Sequence, residues 1–181
     1  MNEALLVIDV QNAVMENAYE KEEVINRISS LIRNARANDV PVIYVQHEDP
    51  AGPLKRGEPG WELHSLLEKP LETETIVNKT LPNSFADTNL KEVLDKLGTG
   101  HLYICGAQTD YCVDSSCRGA FDVHYDVTLI MDAHTTMDND HLTAKQIIDH
   151  THNTLGNFWS PHATITLQNT KEVFWMKEKI K

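Results

Sequence analysis

The sequence predicts a three-layer α/β fold, in which a six-stranded, mainly parallel sheet is flanked by helices on both faces. Short apolar runs alternate with longer stretches whose apolar residues recur at helical spacing, and this alternation is typical of parallel sheets. The first run, Ala-Leu-Leu-Val-Ile at 4–8, is continuously apolar, which indicates a strand buried on both faces. The 181 residues fit one compact domain, 1–181.

Six apolar runs are interpreted as strands, at 4–10, 40–45, 74–78, 101–106, 127–131 and 163–167. Helical spacing is clearest at 20–38, and at 87–97, where Gly98 marks the end of the helix. Further helices are predicted at 110–121, at 141–155 and from 173 to 176. The segment 48–73 is rich in proline and glycine and is predicted to be irregular, with a short helix near 61–67. Such a long loop is often a lid or a binding loop, and a plain surface insertion is the alternative.

Charge, hydropathy and cysteine content exclude several classes of protein. The formal net charge is −11 and no compact basic cluster is present, so we expect no nucleic-acid partner. No apolar stretch approaches the ~20 residues of a membrane span and no signal peptide is evident, so we expect a cytoplasmic protein without a membrane partner. The spacing of Cys105, Cys112 and Cys117 fits neither a disulfide framework nor a zinc knuckle.

Polar residues or a glycine close or follow five of the predicted strands at their carboxyl ends. These residues are Asp9, His47, Lys79, Gly106 and Asp132. Because the carboxyl ends of parallel strands meet at one edge of a sheet, binding sites form there. We therefore look for chemistry among these residues and their neighbours.

Cys112 lies shortly after the fourth predicted strand, at the start of a predicted helix. The positive end of the helix dipole and free backbone N–H groups are expected to lower the pKa of its thiol and to hold an oxyanion. The alternative is a buried cysteine that only packs. Packing is the expected role of Cys105, inside a strand, and of Cys117, further along the helix.

Asp9 and Lys79 could complete a catalytic group with Cys112. A carboxylate that closes a buried strand must be paired or hydrogen-bonded, and Asp9 could exchange a proton with a thiol and then with a leaving amine. Its alternative role is to cap a local turn. The Lys79 ammonium could lie between carboxylate and thiolate and stabilise developing charge, and its alternative is a solvated lysine at a strand end.

Four short motifs follow one another along the chain: Asp-Val-Gln at 9–11, Lys79 with Ser84-Phe85, Gly-Ala-Gln-Thr-Asp-Tyr-Cys at 106–112, and Asp-Ala at 132–133. In these motifs the chain resembles the isochorismatase-like cysteine hydrolases, a family that includes nicotinamidases, N-carbamoylsarcosine amidases and ureido-type hydrolases. Asp9 and Gln11 match the family's Asp-x-Gln, and Lys79 with Ser84-Phe85 resembles its Lys followed by Ser-x-Phe or Ala-Phe. The run Gly-Ala-Gln-Thr-Asp-Tyr-Cys at 106–112 is similar to its Gly-x-x-Thr-x-x-Cys, and the Asp-Ala at 132–133 to the segment after its fifth strand. The resemblance covers essentially the whole chain.

The resemblance implies a Cys112, Asp9, Lys79 triad and a cis peptide bond between Ala107 and Gln108, which would aim the Gln108 N–H at an oxyanion. It implies hydrolysis of a carbon–nitrogen bond in a small amide or ureido compound through a Cys112 thioester, without a cofactor. It also implies a homo-oligomer, either a dimer or a tetramer.

Five residues are expected to line the substrate pocket: Gln11, His47, Trp61, Phe85 and Tyr111. Nicotinamidases of the family carry a metal-binding Asp-x-His cluster after the second strand. Here that region reads Gln-His-Glu-Asp-Pro at 46–50, with His64 later, and the spacing differs. We therefore expect no metal, and His47 and His64 are left as possible pocket residues.

Two other functions stay open from the sequence. Within enzymes, the alternative is cleavage of a vinyl ether, as in isochorismatases, or of a cyclic amide (lactam). Isochorismate-cleaving members lack the cysteine, so Cys112 points away from the vinyl ether. The alternative of another class is a non-catalytic binding or scaffold paralogue, which would have no need of a thiol at this position.

Overall fold

Six parallel strands form the single sheet of the computed structural model, which describes residues 2–175. The strand order is β3-β2-β1-β4-β5-β6, and every neighbouring pair is parallel. This confirms the predicted α/β fold and makes the sheet wholly parallel. The strands are β1 (Asn2–Ile8), β2 (Val42–His47), β3 (Thr75–Lys79), β4 (Thr99–Ala107), β5 (Asp126–Thr135) and β6 (Ile165–Gln168).

Helices cover both faces of the sheet. They are α1 (Asn12–Met15), α2 (Lys21–Ala37), α3 (Leu90–Leu97), α4 (Asp114–Asp122) and α5 (Ala144–Leu155). A π-helical turn, Thr109–Val113, leads directly into α4. Helix α5 begins with a capping box, in which the Thr143 side chain accepts from the Gln146 N–H and the Gln146 side chain binds the Thr143 N–H.

Side chains alternate across β1 and so feed two separate cores. Leu5 and Val7 pack with the apolar face of α2, whereas Leu6 and Ile8 pack on the opposite face of the sheet with α3, α4 and α5. Burial of each such side chain stabilises the fold by about 1.5–3 kcal/mol. The continuous apolar run of β1 is explained by this burial on both faces.

Several predicted boundaries were wrong. No helix forms at 61–67, where the chain makes turns, and β5 runs to Thr135, so Asp132 lies inside the strand instead of after it. The Asp132 carboxylate accepts hydrogen bonds from the N–H and hydroxyl of Thr170, at a 3₁₀ turn, Thr170–Glu172. The expected terminal helix is not formed at 173–175, and its remainder, from Met176, lies outside the described residues. No helix within 2–175 is long and apolar enough to cross a membrane.

Gly106 allows β1 and β4 to approach each other at the carboxyl edge. Its φ is +124°, and a Cβ there would overlap the backbone of Ile8. Gly106→Ala is expected to reduce the free energy of unfolding by about 3 kcal/mol or more, because backbone strain and steric overlap each cost about 1–3 kcal/mol. Urea unfolding measures the change.

Gly57 provides the matched control. Its φ is +89°, but nothing lies within 4 Å of a Cβ built there. Gly57→Ala therefore carries the conformational strain without the overlap, at a cost of about 1 kcal/mol. Equal losses in the two variants would show that close approach to Ile8 is not what requires Gly106.

Candidate active site

The carboxyl edge of the sheet brings Asp9, His47 and Lys79 together. Asp9 directly follows β1, with φ +50°, and its N–H donates to the Val45 carbonyl in β2. His47 and Lys79 are the last residues of β2 and β3 and are register partners. These residues lie far apart in the sequence, and the parallel pairing of β1, β2 and β3 places them side by side.

The Lys79 ammonium is the centre of this cluster. Its Nζ lies 2.7 Å from Asp9 Oδ2 and 3.1 Å from Cys112 Sγ. It lies 2.9 Å from His47 Nδ1 and 3.1 Å from the Leu81 carbonyl oxygen. The side chains of Lys79 and Asp9 are 0% and 1% exposed, so water does not screen their attraction. The predicted position of Lys79 between carboxylate and thiol is present in the structure.

The contact with Lys79 fixes the tautomer of His47. Burial and the Lys79 charge hold the pKa of His47 below its usual range, so the ring is neutral at pH 7. An ammonium can only donate, so Nδ1 must accept and the ring proton must be on Nε2. His47 also lines the cavity described below, so it can offer a ligand an N–H donor.

The surroundings of Cys112 overturn the expectation of a lowered thiol pKa. Burial and the Asp9 carboxylate raise the pKa of Cys112 to about 12, more than Lys79 lowers it. Burial also raises the pKa of Asp9, although Lys79 opposes this shift. Desolvation therefore outweighs the expected effect of the helix dipole on the pKa of Cys112, and the resting thiol keeps its proton near pH 7. An attack by sulfur needs a base at the site.

The turn that carries Cys112 is wider than the predicted first turn of an α-helix. Residues Thr109–Val113 are π-helical, and the Gln108 carbonyl accepts from the N–H groups of Tyr111 and Val113, on either side of Cys112. The Ala107–Gln108 peptide bond is cis. This turn directs the Cys112 side chain back toward the ends of β1 and β3, where Asp9 and Lys79 lie.

A cavity of about 320 Å³ opens onto the Cys112 side chain. Asp9, His47, Gln108, Tyr111 and Cys112 form its polar part. Sequence reasoning missed the apolar part, which consists of Ala13, Val14, Pro53, Leu54 and Pro82. Pro53 and Leu54 belong to the 48–73 segment, so this segment contributes to the cavity, as a binding loop would. Tyr111 is 59% exposed and stands at its mouth.

Three residues expected in the pocket lie elsewhere. Phe85 packs in the core, where its ring is 5.8 Å from that of Tyr125. Trp61 packs beneath the Arg56 guanidinium at 5.7 Å, and neither it nor His64 is among the cavity residues. Gln11 is fully buried and does not reach the cavity.

Gln11 instead ties the 48–73 segment to the sheet. Its amide nitrogen donates to the carbonyls of His47 and Trp61, at 2.9 and 2.8 Å, and its amide oxygen accepts from the His47 N–H at 2.9 Å. Gln46 adds a hydrogen bond of 2.7 Å to the same Trp61 carbonyl. Gln11 thus supports His47 through the backbone instead of touching a ligand. The sequence showed a polar residue near a strand end but not the direction of its side chain.

Among the described residues, one cluster has the donor types of a metal site: Asp9, His47 and Cys112, whose ligand atoms lie within 4.8 Å of one another. The Lys79 Nζ is within 3.1 Å of an atom of each. An ammonium therefore occupies the centre that a cation would need, and a second positive charge there would be repelled. These residues do not fit a metal ion.

Comparison with known proteins places this geometry in a family. A model of the isochorismatase domain matches residues 3–154. The chain is 37% identical over 140 residues to a streptothricin hydrolase of Streptomyces noursei, which covers 75% of this chain and 50% of that protein. The chain thus spans about half the length of this relative.

Two further proteins to which the chain is similar are an amidohydrolase and an isochorismatase family protein of known structure. Ureidoacrylate amidohydrolase RutB of Agrobacterium fabrum is 27% identical over 172 residues, covering 72% of this chain and 74% of that protein. A crystal structure of an isochorismatase family protein superposes with a TM-score of 0.81 at 33% identity, over 91% of this chain and 97% of the other. With a family model that matches most of its length, and with the parallel sheet and strand-end cluster described above, the chain is a member of the isochorismatase family of hydrolases.

Proposed function

We propose that this protein hydrolyses a carbon–nitrogen bond of a small amide or ureido compound through a thioester on Cys112. One observation carries the proposal: a single buried ammonium, Lys79, contacts both the Asp9 carboxylate and the Cys112 sulfur at the wall of a cavity. A nucleophile, a base and a cation within contact distance are the parts that acyl transfer requires.

Proton transfer comes first, because the thiol of Cys112 keeps its proton at rest. Asp9 accepts this proton as the sulfur attacks the substrate carbonyl carbon, and a carbon–sulfur bond forms. Lys79 stabilises the anionic sulfur during the transfer. As the tetrahedral intermediate collapses, the carbon–nitrogen bond breaks and Asp9 returns the proton to the departing nitrogen.

Water completes the cycle. Asp9 takes a proton from a water molecule, whose oxygen attacks the thioester carbonyl carbon. The carbon–sulfur bond then breaks, a carboxylic acid (from a ureido compound, a carbamic acid) leaves, and Asp9 returns the proton to the Cys112 sulfur. The N–H groups of Gln108 and Cys112 are the proposed donors to the oxyanion, both when the thioester forms and when it is hydrolysed. His47, with its proton on Nε2, is the proposed donor to a second acceptor of the substrate.

The relatives support a hydrolase, and two of them are named for hydrolysis of streptothricin and of ureidoacrylate. The buried cluster argues against a scaffold, because burying a lysine and an aspartate beside a thiol costs several kcal/mol of desolvation that a scaffold does not need. Self-association and a cytoplasmic location stay predictions, and light scattering of the purified protein tests the first.

A substrate panel tests the proposed reaction. Small primary amides, lactams and ureido compounds are incubated with the protein, and released ammonia or amine is measured. We expect turnover of at least one uncharged compound small enough for the cavity of about 320 Å³. Release that persists unchanged in Cys112→Ala, or none from any compound in the panel, would contradict the proposal.

The pH dependence of kcat/KM reports the ionisation of Asp9. Asp9 must be ionised to accept the thiol proton, and burial raises its pKa above the usual carboxyl range. Activity is therefore expected to be lost, as the pH falls, at a higher pH than an ordinary aspartate would give. Circular dichroism over the same range confirms that the fold persists. An acid limb at the pH of an ordinary carboxyl would show that Asp9 is not the base.

A further inference from the structure

A chain of hydrogen bonds behind the active site links the Cys112 turn to two histidines. The Thr109 hydroxyl, at the first residue of the turn, lies 2.8 Å from His134 Nδ1. His134 Nε2 lies 2.8 Å from His152 Nε2, and the two rings meet edge to face at 90°. His134 is in β5 and His152 is in α5, so this hydrogen-bond chain links the π-helical turn, β5 and α5.

The direction of every hydrogen bond in this hydrogen-bond chain follows from the Thr109 hydroxyl. Thr109 is fully buried, and within residues 2–175 its hydroxyl has one hydrogen-bond partner, His134 Nδ1. A buried hydroxyl keeps its proton hydrogen-bonded, so Thr109 donates and His134 Nδ1 accepts.

His134 must then donate from Nε2. Burial and His152 hold the pKa of His134 at about 3, so this ring is neutral and its one proton is on Nε2. His152 Nε2 accepts from it, and because burial lowers the pKa of His152 as well, the one proton of the His152 ring is on Nδ1. One arrangement of protons satisfies all three residues.

We propose that His134 and His152 are positioning residues that hold the Thr109 hydroxyl in one orientation and so fix the turn that carries Cys112. Thr109 and His134 are 0% and 2% exposed, which keeps water from competing for their hydrogen bond. Next along the turn, Asp110 accepts a hydrogen bond of 2.6 Å from Thr136, the residue after β5, so β5 and the residue that follows it hold two consecutive residues of the turn. The inference rests on the proposed function, in which Cys112 must face Asp9 and Lys79.

Nuclear magnetic resonance tests the hydrogen-bond chain from Thr109 to His152 without any substrate. Long-range ¹H–¹⁵N correlation of the ¹⁵N-labelled wild-type protein distinguishes the two imidazole tautomers. We expect the Nε2–H tautomer for His134 and the Nδ1–H tautomer for His152. Any other pair of tautomers overturns the inference and leaves the proposed function standing.

Variants of Thr109 test the consequence for Cys112. Thr109→Val keeps the shape but removes the donor, and we expect kcat and the rate of Cys112 alkylation by iodoacetamide to fall roughly tenfold, with KM within about twofold, because the sulfur is misplaced. Thr109→Ser keeps the hydroxyl and should restore both rates to within about twofold of wild type.

A second Thr–His pair in the same sheet provides the control. His101 Nε2 lies 2.8 Å from Thr128 Oγ1, near the amino end of β4 and away from Cys112. Thr128→Val removes a similar hydrogen bond, and both rates should stay at the wild-type level. An equal fall in Thr109→Val and Thr128→Val, or no rescue by Thr109→Ser, overturns the positioning role. If no amide is turned over, the tautomers and alkylation rates still decide the inference, while the proposed function fails separately.

Discussion

Cys112→Ala is expected to abolish amide turnover while the protein stays folded. Without the sulfur no thioester can form, and loss of a nucleophile costs roughly 10⁴-fold or more in kcat. The thiol is half-buried at the cavity wall, so its removal leaves no large void. Release of ammonia or amine measures the first effect, and the thermal unfolding midpoint measures the second.

Cys117→Ala is the matched control, because Cys117 is fully buried in α4 and takes no part in the site. We expect this variant to lose about 1–2 kcal/mol of stability through the missing sulfur and to keep the wild-type kcat. Turnover that survives in Cys112→Ala, or that is lost equally in both variants, would move the chemistry away from Cys112.

Lys79→Met is expected to destabilise the protein by about 3–5 kcal/mol, because it leaves the buried Asp9 charge without a partner. The double variant Asp9→Asn with Lys79→Met removes both charges and should recover most of this loss. Neither variant should turn over substrate, since one lacks the cation and the other lacks cation and base. Urea unfolding together with the activity assay separates the two effects.

Lys91→Met is the control for an ion pair in water. Lys91 and Asp95 form an exposed pair on α3, with Nζ to Oδ2 at 2.9 Å. Loss of such a pair costs about 0–1 kcal/mol. A Lys79→Met variant no less stable than Lys91→Met would show that the contact between Lys79 and Asp9 does not stabilise the fold.

The sheet and the strand-end cluster could be predicted from the sequence because each depends on a short-range pattern. The continuous apolar run of β1 indicates burial on both faces, and parallel pairing then places the residues at the carboxyl ends of β1, β2 and β3 at one edge. Asp9, His47 and Lys79 therefore followed from pattern and topology. The cis bond at Ala107–Gln108 came only from the family resemblance.

The pocket could not be predicted in the same way. Pro53 and Leu54 lie in a segment without periodicity, and it is the amide of Gln11, bound to the Trp61 carbonyl, that ties this segment to the sheet. Phe85 was misplaced because an aromatic residue near a site packs equally well in the core. The pKa of Cys112 was misjudged because helix position is visible in the sequence, whereas burial beside Asp9 is not.

Detection of the covalent intermediate is the most direct test of thioester formation on Cys112. The protein is mixed with a turned-over amide, quenched in acid within one turnover, digested and analysed by mass spectrometry. We expect the peptide containing Cys112 to gain the mass of the acyl group, and the adduct to disappear on longer incubation at neutral pH. An unmodified Cys112 peptide throughout steady-state turnover, with intermediate trapping shown to work on a known cysteine hydrolase, would contradict this expectation.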